Sequence, residues 1–145
     1  MGVISFTESP QNILMWSHYA DEHKGICPEF TLDDKQTLND VAIYKVSCEP
    51  DYPEIDFKNI WNINGLAKIL LTKSEEWKSE KELRRITMSG NELLDYPIPL
   101  SGIIFGLRTP ESEKSLIKKI LSDKDINFQQ IKLANQEYKL EIVSI

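Results

Sequence analysis

Six residues carry the side chains and spacing from which a reactive site could be built. Glu80, Glu82 and Arg84 alternate along Glu80-Lys81-Glu82-Leu83-Arg84-Arg85-Ile86. If this stretch enters a strand, every second side chain shares a face. Glu80, Glu82, Arg84, Ile86 and Met88 then form one row, and its apolar end marks that row as the buried one. A carboxylate and a guanidinium carried into an interior must find partners, because uncompensated burial of charge is costly. Either they tie the fold together or they line a site. Far upstream, Ser17-His18-Tyr19 offers a hydroxyl, an imidazole and a phenol in sequence. His18 is the candidate general base; its structural alternative is a hydrogen-bonded histidine beside Trp16 or Tyr19.

Composition bounds what such groups can serve. The chain has 145 residues and a net charge of −6. That length suffices for one domain with a sizeable core, and a single domain over residues 1–145 is the expectation. The acidic balance argues against a broad nucleic-acid-binding face, and no stretch is long and apolar enough to span a bilayer. The N-terminal sequence has no basic segment followed by an apolar run, so no secretory leader is expected. Cys27 and Cys48 are too few for a disulfide framework and match no zinc spacing. Two free thiols and a cytoplasmic location follow as expectations. His18 and His23 stand five apart, off the i, i+4 spacing of paired helical ligands, and no metal is expected.

The elements that must position these residues read as α+β. Val3 to Thr7 is a short strand. Ser9-Pro10 signals a helix start, with Ser9 as cap and Pro10 in the first turn. The helix runs from Gln11 to about Asp21 on a stripe of Ile13, Trp16 and Ala20, and Gly25 stops it. Ile26 to Leu32 is a strand that Pro28 confines to an edge or a bulge. Val41 to Val46 is another strand. Asp56 caps a long helix from Phe57 to about Lys73, carrying Ile60, Ile63, Ala67 and Leu70, with Trp61 beside them. Turn residues Ser89-Gly90-Asn91 and the stretch Asp95 to Pro99 connect to Gly102–Leu107, an apolar run typical of a strand covered on both faces. Thr109-Pro110 repeats the cap signal for a helix to about Ser122. Leu116, Ile117, Ile120 and Leu121 make its apolar side, with Lys114 and Lys118 opposite. Ile126 to Ala134 and Tyr138 to Ile145 form an antiparallel pair. The total is about six strands and three helices, with a mixed, mostly antiparallel sheet.

Three segments together resemble a family. They are Met15-Trp16-Ser17-His18-Tyr19-Ala20 through His23-Lys24-Gly25-Ile26-Cys27, then Lys73 to Arg84 with Trp77, then Ile103-Ile104-Phe105-Gly106-Leu107. The pattern resembles the uncharacterised bacterial family called domain of unknown function 2971. Leu83 stands where that pattern usually has an aromatic, and Ser79 where it often has a tyrosine. The resemblance also implies a further N-terminal part in longer members, before the counterpart of Val3 to Thr7.

Glu80-x-Glu82 also resembles the catalytic strand of ADP-ribosyltransferases, in which a glutamate stabilises the oxocarbenium-like centre as nicotinamide leaves. That resemblance implies Glu82 and His18 as catalytic, and Ser17, Tyr19, Glu80 and Arg84 as substrate-binding, with NAD or another nucleotide as ligand. By analogy, such a module belongs in a mobile-element or phage-defence setting. The alternative is a Glu82–Arg84 structural pair within a non-catalytic interaction domain. Its partner would be a second copy or another protein covering an open N-terminal sheet edge. Lys78, Lys81, Arg84 and Arg85 form a basic cluster that would meet phosphates in the first reading and line a solvated strand edge in the second.

Overall fold

The computed structural model describes the chain except for residues 33–36, 56–57, 59–62, 88–89 and 91–97 and the side chains of 63 and 64. The expected cap at Asp56, the helix start at Phe57, and Ile60, Trp61, Met88, Asn91 and Asp95 to Pro97 lie outside the described residues. In chain order the elements are β1 (Gly2–Thr7), α1 (Ile13–Tyr19), β2 (Ile26–Phe30), β3 (Ile43–Lys45), β4 (Ser47–Glu49), α2 (Ile63–Leu70) and β5 (Thr72–Ser74). A 3-10 helix (Glu75–Glu80), β6 (Glu82–Thr87), β7 (Leu100–Phe105), α3 (Glu111–Ile120), β8 (Asn127–Leu133) and β9 (Leu140–Ser144) follow. The class is α+β, as expected. Nine strands appear among the described residues rather than six, because several expected strands and helices are shorter and extra strands form between them.

The elements divide into two compact units. The first comprises Met1–Ser9 and Gln36–Asp95. Its three-stranded antiparallel sheet has the order β1-β6-β3, with β6 central. The strand expected from Val41 to Val46 is paired only over Ile43–Lys45, because Ala42 is left-handed at φ 55° and interrupts the extended backbone. Val41, Ile43 and Leu83 are buried. Ser47–Glu49 then pairs in parallel with Thr72–Ser74. Lys73 therefore lies in a strand and not at the end of a long helix.

The second unit comprises Pro10–Lys35 and Tyr96–Ile145. Its sheet has the order β2-β7-β8-β9. β2 is an edge strand with a register shift at Glu29/Phe30, as Pro28 dictates. β7 and β8 are parallel through the α3 crossover, and β8 and β9 are antiparallel. Ile103, Ile104 and Phe105 on β7 are all buried, which matches an apolar run covered on both faces. Trp16 of α1 and Ala20 at its C-terminal cap cluster with Ile104 and Ile131, whereas Lys114 of α3 bonds Gln130 at 2.9 Å. Gln130 and Ile131 are adjacent in β8 and point to opposite faces, so α1 and α3 cover opposite sides of this sheet.

Both helix starts differ from expectation. Asn12, not Ser9, caps α1, accepting from the Leu14 N–H at 2.9 Å and the Met15 N–H at 3.4 Å. Pro10 stays outside the helix because its carbonyl accepts the Trp16 indole N–H at 2.6 Å. Asparagine is as good an N-cap as serine, and the tryptophan contact selects it. For α3, Pro110 occupies the cap position, while the Thr109 hydroxyl donates to the Gly25 carbonyl at 2.9 Å.

The expected apolar side of α3 is split: Ile117 and Leu121 are half-buried, whereas Leu116 and Ile120 are exposed. Lys114 is 6% exposed, whereas Leu116 is 57% and Ile120 64% exposed. The Lys114 ammonium donates to Glu111 at 2.7 Å and to Gln130 at 2.9 Å. Lys118 lies over the Phe128 ring at 5.5 Å, so the lysine row faces the sheet.

After α1 the chain passes through three consecutive left-handed residues, Asp21, Glu22 and His23, at φ 43°, 52° and 69°. Each costs about 1–2 kcal/mol for an L-residue with a side chain. Five backbone hydrogen bonds offset this, among them Gly25 N–H to the Ala20 carbonyl at 2.8 Å and Arg108 N–H to the His23 carbonyl at 2.9 Å. The approach is so close that a Cβ at Gly106 would collide with the His23 carbonyl. Gly106→Ala is therefore expected to lower unfolding free energy by about 1–3 kcal/mol, as read by urea denaturation of the purified chain.

Candidate functional site

β6 is flanked on both sides, and its register sets which side chains meet. Ser5 of β1 and Tyr44 of β3 both stand opposite Arg84. Residues directly opposed in a sheet share a face, so Ser5, Glu82 and Arg84 stand together. Glu82 is tied from three directions. The Ser5 hydroxyl donates to its Oε1 at 2.7 Å. Arg84 donates Nε to Oε1 at 2.7 Å and Nη2 to Oε2 at 3.1 Å, a bidentate pair. Lys73 donates Nζ to Oε2 at 2.9 Å.

Glu80 reaches the same lysine by a different route. The expected alternation fails here, because Glu80 ends the 3-10 helix and Lys81 is left-handed at φ 46°. Glu80 is thus not in the β6 row. The turn swings its carboxylate back to Lys73 at 2.5 Å, and the Thr7 hydroxyl holds its carbonyl at 2.6 Å. Arg84 Nη1 donates to the Leu70 carbonyl at 2.5 Å, and Lys73 sits over the Trp77 ring at 4.8 Å. The Glu80 and Glu82 side chains are 7% and 9% exposed. Two carboxylates and two cations balance, which is the condition for burying them. Oε1 of Glu80 is buried without a hydrogen-bond partner.

Electrostatics follow this geometry. Burial pushes the Glu82 carboxyl up, but hydrogen bonds from Arg84, Ser5 and Lys73 and the Arg84 charge outweigh it and hold the pKa at about 2. For Lys73, burial lowers the pKa, and the bonds to Glu80 and Glu82 raise it above its ordinary value on balance. Glu82 is a fixed, ionised acceptor whose two oxygens are both occupied. Of the basic cluster, Arg84 is committed to this network, while Lys78 is exposed beside Glu75 at 3.8 Å.

Ser17, His18 and Tyr19 belong to the second unit, whereas Glu80, Glu82 and Arg84 belong to the first. Ser17 does not pair with His18. Its hydroxyl lies 2.9 Å from the Ile13 carbonyl and 3.0 Å from His23 Nε2. Its single proton goes to the carbonyl, as serine commonly does within a helix, so His23 Nε2 must be the donor. That arrangement orients a turn and does not activate Ser17 as a nucleophile. His18 and Tyr19 are exposed, with rings edge-on at 6.3 Å. Trp16, by contrast, is fully buried.

Sequence reasoning missed Ser5, Lys73 and His23. Ser5 and Lys73 come from other strands, and only strand register brings them to Glu82. His23 had one local signal, its place before Lys24-Gly25, but its left-handed backbone has no residue-type signature. Among the described residues no group of three or more His, Cys, Asp or Glu side chains is placed to hold a metal ion. Cys27 and Cys48 are free thiols, and burial followed by the Glu29 charge pushes the Cys27 thiol pKa up.

Two measurements test these assignments. Glu82 has its folded pKa depressed, so its contribution is present above about pH 4.5 and is lost as pH falls towards about 2. Urea unfolding free energy is expected to fall across that window by on the order of 2 kcal/mol from this group, allowing for solvent screening, and the drop is expected to vanish in Glu82→Gln. Nitrogen-15 NMR is expected to find neutral His23 protonated at Nε2, with the resonance altered in Ser17→Ala.

Residues 15–85 match the family described as "Protein of unknown function (DUF2971)". The span holds Trp16, the Ser17–His23 pair, Lys73, both glutamates and Arg84, and it stops short of the Ile103–Leu107 segment. No curated protein and no solved structure matches the chain. Among the described residues, no helix is long and apolar enough to cross a membrane. Through residues 15–85, this chain is similar to the DUF2971 family.

Proposed function

We propose that the chain is a non-catalytic protein-interaction domain in which the Glu80–Lys73–Glu82–Arg84 network is structural. The observation that carries this reading is the setting of α3, which half-buries Ile117 and Leu121 beside Lys114 and leaves Leu116 and Ile120 exposed. A helix that turns Lys114 and Lys118 to its own sheet and Leu116 and Ile120 outward is suited to being covered by another surface. The saturation of Glu82 supports the same reading, since an approaching substrate would have to displace Arg84, Ser5 or Lys73. Two free thiols fit a reducing bacterial cytoplasm.

The second reading is an NAD-binding, ADP-ribosyltransferase-like module of a mobile-element or phage-defence system. The unpartnered Oε1 of buried Glu80 favours it, as an acceptor open to a ligand donor. There, Glu82 would stabilise the oxocarbenium centre as nicotinamide leaves, with Arg84 orienting it and His18, Ser17 and Tyr19 shaping the pocket.

One experiment decides between them. Purified wild type and Glu82→Gln are incubated with NAD, nicotinamide release is measured, and both chains are unfolded in urea. The interaction reading expects no release from either chain and a loss of about 3 kcal/mol in the variant, from breaking a buried pair. Release by wild type that disappears in a still-folded variant would replace it with the enzyme reading.

A further inference from the structure

We draw no further inference here: the strongest candidate, the outer edge of strand β1 in the first unit's sheet, where Val3 and Ile4 are exposed, carries nothing because nothing in the structure shows what covers it.

Discussion

Buried charge must be neutralised by a partner held in place, and the first unit is arranged around that constraint. Glu82 enters from the central strand with Arg84 two residues on, and neither can be buried alone. Strand register supplies Ser5 from one side. The short β5 strand supplies Lys73, and the 3-10 helix with its left-handed exit at Lys81 returns Glu80 to the same ammonium. The irregular stretch from Thr72 to Lys81 thus has a physical reason. A regular helix running through Lys73 or a regular strand running through Glu80 would leave one cation or one carboxylate without its counterpart.

The second unit depends on close backbone approach rather than on charge. Gly106 stands where no side chain fits, against the His23 carbonyl, and the turn from Asp21 to His23 is strained. Trp16 secures that turn twice, through its buried ring and through its carbonyl, which accepts the His23 N–H at 3.1 Å. Ser17 secures it a third time through the imidazole. A dense segment such as Trp16-Ser17-His18-Tyr19-Ala20 invites a catalytic interpretation. Most of these residues instead hold a difficult turn together, and His18 and Tyr19 alone are left facing solvent.

What the sequence made legible was periodic or punctuated. The apolar run at Ile103 to Phe105, the edge strand marked by Pro28, and the closing pair of strands all follow from alternation and breakers that act locally. The α+β class followed from them. The candidate site was legible in Glu82 and Arg84, because their spacing of two survives in the strand, and in Glu80, which joins them through Lys73 and not through the expected row. The rest was not, for reasons of distance and parity. Ser5 and Glu82 are 77 residues apart and meet only through register. One left-handed residue at Lys81 shifted Glu80 out of the row that alternation assigns it. Asn12 displaced Ser9 as cap because of a tryptophan contact six residues away.

α3 is the case where amphipathic pattern and tertiary structure agree only in part, since Ile117 and Leu121 of the expected apolar side are half-buried while Leu116 and Ile120 are exposed. Burying Lys114 requires desolvating an ammonium, which is offset by Glu111 and by Gln130 across the strand. Leaving Leu116 and Ile120 outside forgoes part of the roughly 1.5–3 kcal/mol that each would contribute if fully buried. The opposite rotation would bury the apolar pair and solvate both lysines. For a chain considered alone, the observed rotation gains nothing from those four side chains. What favours it lies elsewhere on the helix: Ile117 and Leu121, which share the Lys114 face by helical spacing, are half-buried, and the opposite rotation would expose them. The setting of α3 is therefore a compromise within one helix, in which Ile117 and Leu121 are partly withdrawn from water together with Lys114 while Leu116 and Ile120 stay exposed.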